Sequence, residues 1–212
     1  MRTTVNLRPY RLAVAVTVAG AALLAGCASN KGAPNTIYDF GAPSAQLFTA
    51  ANPSSQLPPI VVMDATGGAV LDNERMVYRL NYADPLQART YAGSRWSGTP
   101  LDLVTRRLKV RLAQAGVTVL SATDAANGVP ILRIEVDDFV HAFSSTSASE
   151  GQILLRASVL ADHRLVAQKS FAHNAPAPSQ DAAGGVAALA AGTDRIALDL
   201  KNWLSTLDLQ GK

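Results

Sequence analysis

The sequence predicts an α/β fold of the α+β type: a two-layer sandwich in which a largely antiparallel sheet carries two main helices on one face. Three observations predict it. From Ile131 apolar and polar residues alternate, with Leu132, Ile134, Val136 and Val140 on one side and Arg133, Glu135, Asp137 and His141 on the other, as in a strand with one wet face. Two other segments repeat apolar residues every three or four positions, Leu101, Val104, Leu108 and Leu112, and later Val186, Leu189, Thr193, Ile196, Leu200, Trp203 and Leu207. Each is a single helical stripe that must pack on something. A tight-turn pair, Asp162-His163, joins two further strand-like runs into a hairpin, which makes an antiparallel meander the economical arrangement.

In chain order, 37–40 is a first brief strand, and 42–59, rich in Ala, Ser and Pro, is a long connection to a compact apolar strand over 60–63. Met76, Tyr78, Leu80 and Tyr82 alternate with Val77, Arg79 and Asn81, the pattern of a strand with one buried face. Asp84-Pro85 turns the chain, and 87–96 returns as the partner strand of a hairpin, with Tyr91, Arg95 and Trp96 near its end. The first helix is marked by Thr99 as cap, Pro100 at the first helical position and Asp102 in the first turn, and Gly116 supplies its stop. A short strand over 117–120 and a loop over 122–130, turning at Asn127-Gly128, lead to the alternating strand from Ile131. A polar loop over 144–151 then precedes the hairpin of 153–160 and 165–173. Pro176 and Pro178 break the sheet, and the last helix spans 180–207, with Gly184-Gly185 weakening its first turns by about 1 kcal/mol each relative to Ala.

Ahead of this domain stands a processing signal. Arg2, Arg8 and Arg11 form a positive n-region, an apolar run covers 12–25, and Leu24-Ala25-Gly26-Cys27 closes it with the single cysteine of the chain. The run is shorter than the about 20 residues a bilayer span needs. The tetrapeptide reads as a bacterial lipobox, in which residues 1–26 are removed and the Cys27 thiol is diacylated. A lone cysteine in an exported protein has no disulfide partner, and acylation gives it a use. Each lipid chain contributes about 0.8 kcal/mol per buried CH2, so two or three chains hold the protein on a membrane. Ala28 and Ser29 follow, rather than the Asp that retains lipoproteins at the inner membrane, which favours the outer membrane with the domain facing the periplasm. The expected organisation is a leader over 1–26, a lipidated tether over 27–36 and one domain over 37–212. Three of the 19 Lys and Arg lie in the leader, leaving 16 against 16 Asp and Glu. A neutral chain without a clustered basic face gives no sign of a nucleic-acid partner.

The chemistry on offer is sparse. The glycines at Gly67-Gly68 and Gly184-Gly185 lack the Lys-Ser/Thr that follows a phosphate loop. Gly93-Ser94-Arg95-Trp96-Ser97-Gly98 has the wrong spacing for a nucleophile elbow and no His-acid pair beside it. Glu135, Asp137 and His141 share a strand face in the alternating pattern, but charged residues alternating along a strand read as its solvated side, and His141, His163 and His173 show no metal-ligand spacing. No catalytic residues, no metal site and no cofactor beyond the covalent lipid on Cys27 are expected. The remaining concentration is Tyr78, Arg79, Tyr82, Tyr91, Arg95 and Trp96, within about twenty residues of a chain with 6% aromatics. Hairpin packing is one reading; a partner-binding surface is the other, since Tyr, Trp and Arg dominate interface energetics.

The order Tyr38-Asp39-Phe40-Gly41, then Met76-Val77-Tyr78-Arg79-Leu80 with Tyr82, then Tyr91, Ser94-Arg95-Trp96 and Pro100 leading into a Leu-rich helix, resembles the ABC-type transport auxiliary lipoprotein family, including its paraquat-inducible protein C-like, membrane-integrity-associated branch. The resemblance implies a non-enzymatic outer-membrane lipoprotein that accompanies an ABC transporter with its permease, or a mammalian-cell-entry domain protein, in moving lipids between membranes. It carries no catalytic residues. The ring-forming partners of such systems make a homo-oligomer an expectation too. A structural envelope lipoprotein, binding peptidoglycan or assisting outer-membrane complex assembly, is the alternative reading of a neutral domain behind a lipid anchor.

Overall fold

The computed structural model describes residues 35–42, 57–124 and 128–209. Cys27, the leader, all of the tether before Asn35, most of the 42–59 connection and Asn127 of the expected turn lie outside the described residues. Within them the chain runs β1 (Thr36–Tyr38), β2 (Ile60–Val62), β3 (Thr66–Gly67), β4 (Arg75–Leu80), β5 (Asp84–Trp96), α1 (Pro100–Gln114), β6 (Val119–Leu120), β7 (Ile131–Phe143), β8 (Ser149–Ala161), β9 (Arg164–Pro176) and α2 (Ala182–Leu204). The fold is the expected α+β class.

Local chemistry explains the long elements. Asp162 and His163 both adopt positive φ, 49° and 62°, the two left-handed residues that a tight hairpin between β8 and β9 requires. At α1 the Thr99 side chain accepts from Asp102 N–H at 3.1 Å, Pro100 fills the first turn, and Gly116 follows the helix at φ 87°. At α2 Asp181 caps by accepting from Gly184 N–H at 2.8 Å.

β7, β8 and β9 form the antiparallel meander, and β4 pairs antiparallel with β5. The sheet is nonetheless mixed. β2, β3 and β4 lie in series along the other side of β7, each parallel to it over two or three residues, while β1 runs parallel to β5 and β6 parallel to β2. Pairings that short produce no periodicity in sequence.

A β-bulge in β7 between Val136 and Asp138 changes which residues face the helices. Up to Val136 the alternation is as expected, with Leu132, Ile134 and Val136 buried and Arg133, Glu135 and Asp137 exposed. Beyond it Phe139, His141 and Phe143 take the helix side. His141, expected on the wet face, is therefore buried, 1% exposed, opposite Gly151 of β8 and under Gly185 of α2. A Cβ on Gly185 would stand 2.5 Å from His141 Nδ1, and one on Gly151 2.7 Å from the Leu189 backbone nitrogen. Gly185 is thus a close-approach residue rather than a weak spot in the helix.

The core forms between this face and the helices. Val104, Leu108 and Leu112 of α1 and Leu189, Ile196 and Leu200 of α2 are buried, as the stripes predict. The helices are also joined by charge. Asp194 of α2 receives Arg107 Nε at 2.6 Å and Nη2 at 2.8 Å, together with Arg111 Nε at 2.6 Å and a further short contact from Arg111 Nη2. Burial pushes the Asp194 carboxyl up, but hydrogen bonds from Arg111 and Arg107 outweigh it and hold the group below the usual carboxylate range.

Candidate functional site

The six residues singled out by sequence all lie on the β4–β5 hairpin or its connection, and the structure separates them into three environments. Trp96 is core: 2% exposed, its ring stands 5.7 Å from Phe40 edge-on and 5.9 Å from Phe139. A side chain so placed cannot meet a partner, so its inclusion in a contact surface is corrected here. The physical reason is that β5 ends beneath β1, whose Tyr38 pairs with Trp96 in register.

Tyr78 and Tyr91 are half-buried at the hairpin base, with ring centroids 4.7 Å apart. The Tyr91 hydroxyl and His141 Nδ1 share a hydrogen bond of 2.8 Å, and the two rings stack at 6.3 Å. Burial, followed by the neighbouring Tyr78 and Asp181, pushes the Tyr91 phenol far up, so its proton stays on. Burial pushes His141 down to about 4 against a smaller opposing influence of Asp181, so the imidazole is neutral. Its Nε2 has no hydrogen-bond partner among the described residues. Arg79 reaches across to Asp138, the residue after the bulge, with a two-pronged contact of 2.6 and 3.0 Å. The hairpin is thereby docked on β7 by a tyrosine on the helix side and an arginine on the open side.

The outward part is different. Tyr82 is 48% exposed at the turn, Leu86 beyond it is 93% exposed, and Arg95 is exposed with its guanidinium 2.8 Å from Glu74. Arg75 faces Arg95 directly in the register, and Asn73, Thr90, Tyr91 and Ser94 complete a shallow groove of about 650 Å3 around the two arginines. This exposed strip, containing Tyr82, Leu86 and Arg95, is the candidate surface. It offers apolar and cationic contact rather than bond-making: the one buried histidine nearby has a phenol as its partner, not a carboxylate. Glu135 and Asp137 sit on the opposite side of the sheet from His141, so the imagined ligand set does not assemble. Among the described residues no group of three His, Cys, Asp or Glu side chains is placed to hold a metal ion.

The sequence reading placed His141 on the wrong face and missed Leu86 and the Arg107–Asp194–Arg111 clamp. For the clamp a signal existed. Asp194 interrupts the apolar stripe between Thr193 and Ile196, and Arg107 and Arg111 stand four apart on one helix, a like-charge spacing that is unfavourable unless an anion lies between them.

A model of the family described as ABC-type transport auxiliary lipoprotein component matches residues 38–200. The chain belongs to that family. As an ABC-type transport auxiliary lipoprotein it is a membrane-associated, periplasm-facing component that associates with transporter components. Two solved structures share the fold of this auxiliary lipoprotein. A protein from Xanthomonas campestris assigned to the DUF330 family superposes with a TM-score of 0.66 at 21% identity, over 81% of this chain and 95% of that one. A crystal structure titled only as an uncharacterized protein gives 0.61 at 12% identity, over 80% and 98%. No curated protein matches the sequence significantly.

Proposed function

We propose that the protein is a non-enzymatic subunit of an ABC transport system of the mammalian-cell-entry type, anchored in the outer membrane through lipid on Cys27, and that it supports envelope integrity by assisting lipid transport. Residues 1–26 are the leader, 27–36 the lipidated tether and 37–212 the periplasmic domain, which needs no cofactor beyond the lipid. The observation that carries the reading is the family match over 38–200, nearly all of the described domain. The single cysteine behind Leu24-Ala25-Gly26 and the Ala28-Ser29 pair after it support the anchor and the choice of membrane.

In this reading the domain binds the mammalian-cell-entry or permease subunit through the exposed strip of the hairpin. Tyr82, Leu86 and Arg95 make contact there, while Tyr78, Tyr91 and Arg79 hold the strip against β7. A photo-crosslinking residue placed in living cells at Tyr82, Leu86 or Arg95 is expected to capture a transporter subunit, and one placed at Arg133 or Glu135 is expected not to. Equal capture from both sets, or capture of peptidoglycan from the hairpin, overturns the assignment.

A further inference from the structure

The far edge of the sheet has a geometry that the hairpin does not use. Among the described residues β9 pairs with β8 alone, and no strand adds to the other side of its thirteen residues. Ala177 N–H donates to Ser149 O at 2.9 Å, continuing a register in which Glu150 faces Pro176. In an antiparallel ladder that bond fixes the alternation. Lys169, Phe171, His173 and Ala175 turn their backbone groups toward β8, while Gln168, Ser170, Ala172 and Asn174 direct N–H and C=O outward. Pro176, which has no N–H to offer, falls in the outward set, as it must. Native sheets commonly blunt such edges. Here the bulge opposite Val159 and Leu160 and the proline at Pro176 bracket the strand and leave the middle open.

Beside this edge runs α2. The side chains of Lys169 and Phe171 point to the helix side, and between them and α2 lies a groove of about 450 Å3 lined also by Asp199, Asn202, Trp203 and Thr206. Its floor is aromatic, with Phe171 and Trp203 meeting edge-on at 5.6 Å. The Lys169 ammonium stands 5.4 Å over the Phe171 ring and has no carboxylate partner among the described residues. We propose that β9 and α2 form a peptide-binding groove, in which an extended segment of a protein partner adds to the sheet at Ser170, Ala172 and Asn174, sets an apolar side chain on Phe171 and Trp203, and brings a carboxylate to Lys169. An open strand edge beside a helix supplies both requirements of strand addition: backbone groups for affinity and a pocket for alternate side chains.

Charge decides between a partner segment and a second copy. β9 carries Arg164 and Lys169 and no acidic residue, so the β9 strand of a second copy brings no carboxylate to Lys169; the carboxylate that lines the groove, Asp199, lies 3.4 Å from Arg195, and an acidic segment is complementary to Lys169. The site is separate from the hairpin strip and stands or falls without the transporter assignment.

The test uses the full chain purified in detergent, a displayed library of random decapeptides, and fluorescence anisotropy with the enriched peptides as synthetic probes. Enriched sequences are expected to alternate apolar residues and to carry an acidic one. Ala172→Pro removes one outward N–H and leaves the β8–β9 ladder intact; it is expected to weaken binding at least tenfold with an unchanged unfolding midpoint, and Trp203→Ala to weaken it similarly. Lys169→Glu is the second arm, free of any backbone effect: binding falls tenfold and returns when the acid of the probe is replaced by lysine. The proposal is overturned if no peptide is enriched, if binding ignores both Ala172→Pro and Lys169→Glu, or if cysteines placed at Ser170 and Ala172 crosslink two copies of the chain.

Discussion

Asp194→Asn tests how the two helices are held together. The carboxylate sits between Arg107 and Arg111, both buried, Arg111 with no exposed surface, and it takes two contacts from each guanidinium. The neutral amide keeps the shape but offers one acceptor oxygen and no charge. Arg107 would retain the carbonyls of Phe40 at 3.2 Å and Gly41 at 3.0 Å, and Arg111 the Gln114 side chain at 2.9 Å. Two buried cations would still be left without their anion. Breaking a buried pair by removing one partner costs about 3–5 kcal/mol, a large share of the about 5–15 kcal/mol that holds a domain folded. At about 2–4 °C per kcal/mol for a domain of this size, the melting midpoint should fall by about 6–20 °C, readable by circular dichroism. The pH dependence supplies a second signature. The Asp194 pKa is depressed in the folded state, so its contribution is complete above the unfolded value of 3.8 and is lost as pH falls further through the folded value. The gap between wild type and Asp194→Asn should therefore narrow only below about pH 3.8. A loss under about 1 kcal/mol, or a gap that closes between pH 7 and 5, refutes the reasoning.

Three further outcomes are expected. His141 is lowered from 6.5 to about 4, so the folded state resists a proton that the unfolded chain accepts; stability should fall by about 3 kcal/mol as pH drops from 6.5 to 4, and urea titrations of His141→Phe should lack that slope. Gly185→Ala puts a methyl 2.5 Å from His141 Nδ1 and should cost about 1–3 kcal/mol, although the substitution favours helix; a stabilised variant would show that α2 sits farther from the sheet. Cys27→Ala should leave the domain folded and release it from membranes, with palmitate labelling lost; a variant that still sediments with the outer membrane would rule out the lipid anchor.

The parts of the fold legible in sequence are those written in local chemistry. The Thr99-Pro100 start of α1, the Asp162-His163 turn and the stripe of α2 each depend on neighbours a few residues apart, and each stands where its chemistry puts it. What was not legible is non-local. β3 and β6 are two residues long and exist because β7 and β2 offer them a backbone. The bulge at Asp137 leaves no mark that a pattern of alternation can show, since Phe139, Val140, His141 and Ala142 are all buried beyond it. Trp96 looked like a contact residue because aromatic-basic clusters at interfaces and at the end of a buried strand have the same composition; only the T-shaped packing on Phe40, 56 positions earlier in the chain, distinguishes them.

The bulge also accounts for how the hairpin can be both fixed and available. By turning Phe139, His141 and Phe143 toward α2 it places a neutral imidazole where Tyr91 can bond it, and by leaving Asp138 on the open side it gives Arg79 its partner. One irregularity in β7 thus anchors β4 and β5 from both faces, near Tyr78 and Tyr91. Beyond those anchors the hairpin continues to Tyr82 and Leu86, which are 48% and 93% exposed among the described residues. Base and tip should therefore separate in experiment: Tyr91→Phe leaves His141 Nδ1 without a partner and should cost about 1–3 kcal/mol of stability, whereas Leu86→Ser, at a side chain that buries almost nothing, should leave the melting midpoint unchanged and alter only what the domain binds. A fall in stability from Leu86→Ser would mean that the tip is packed, and the exposed strip would lose its claim to be a contact surface.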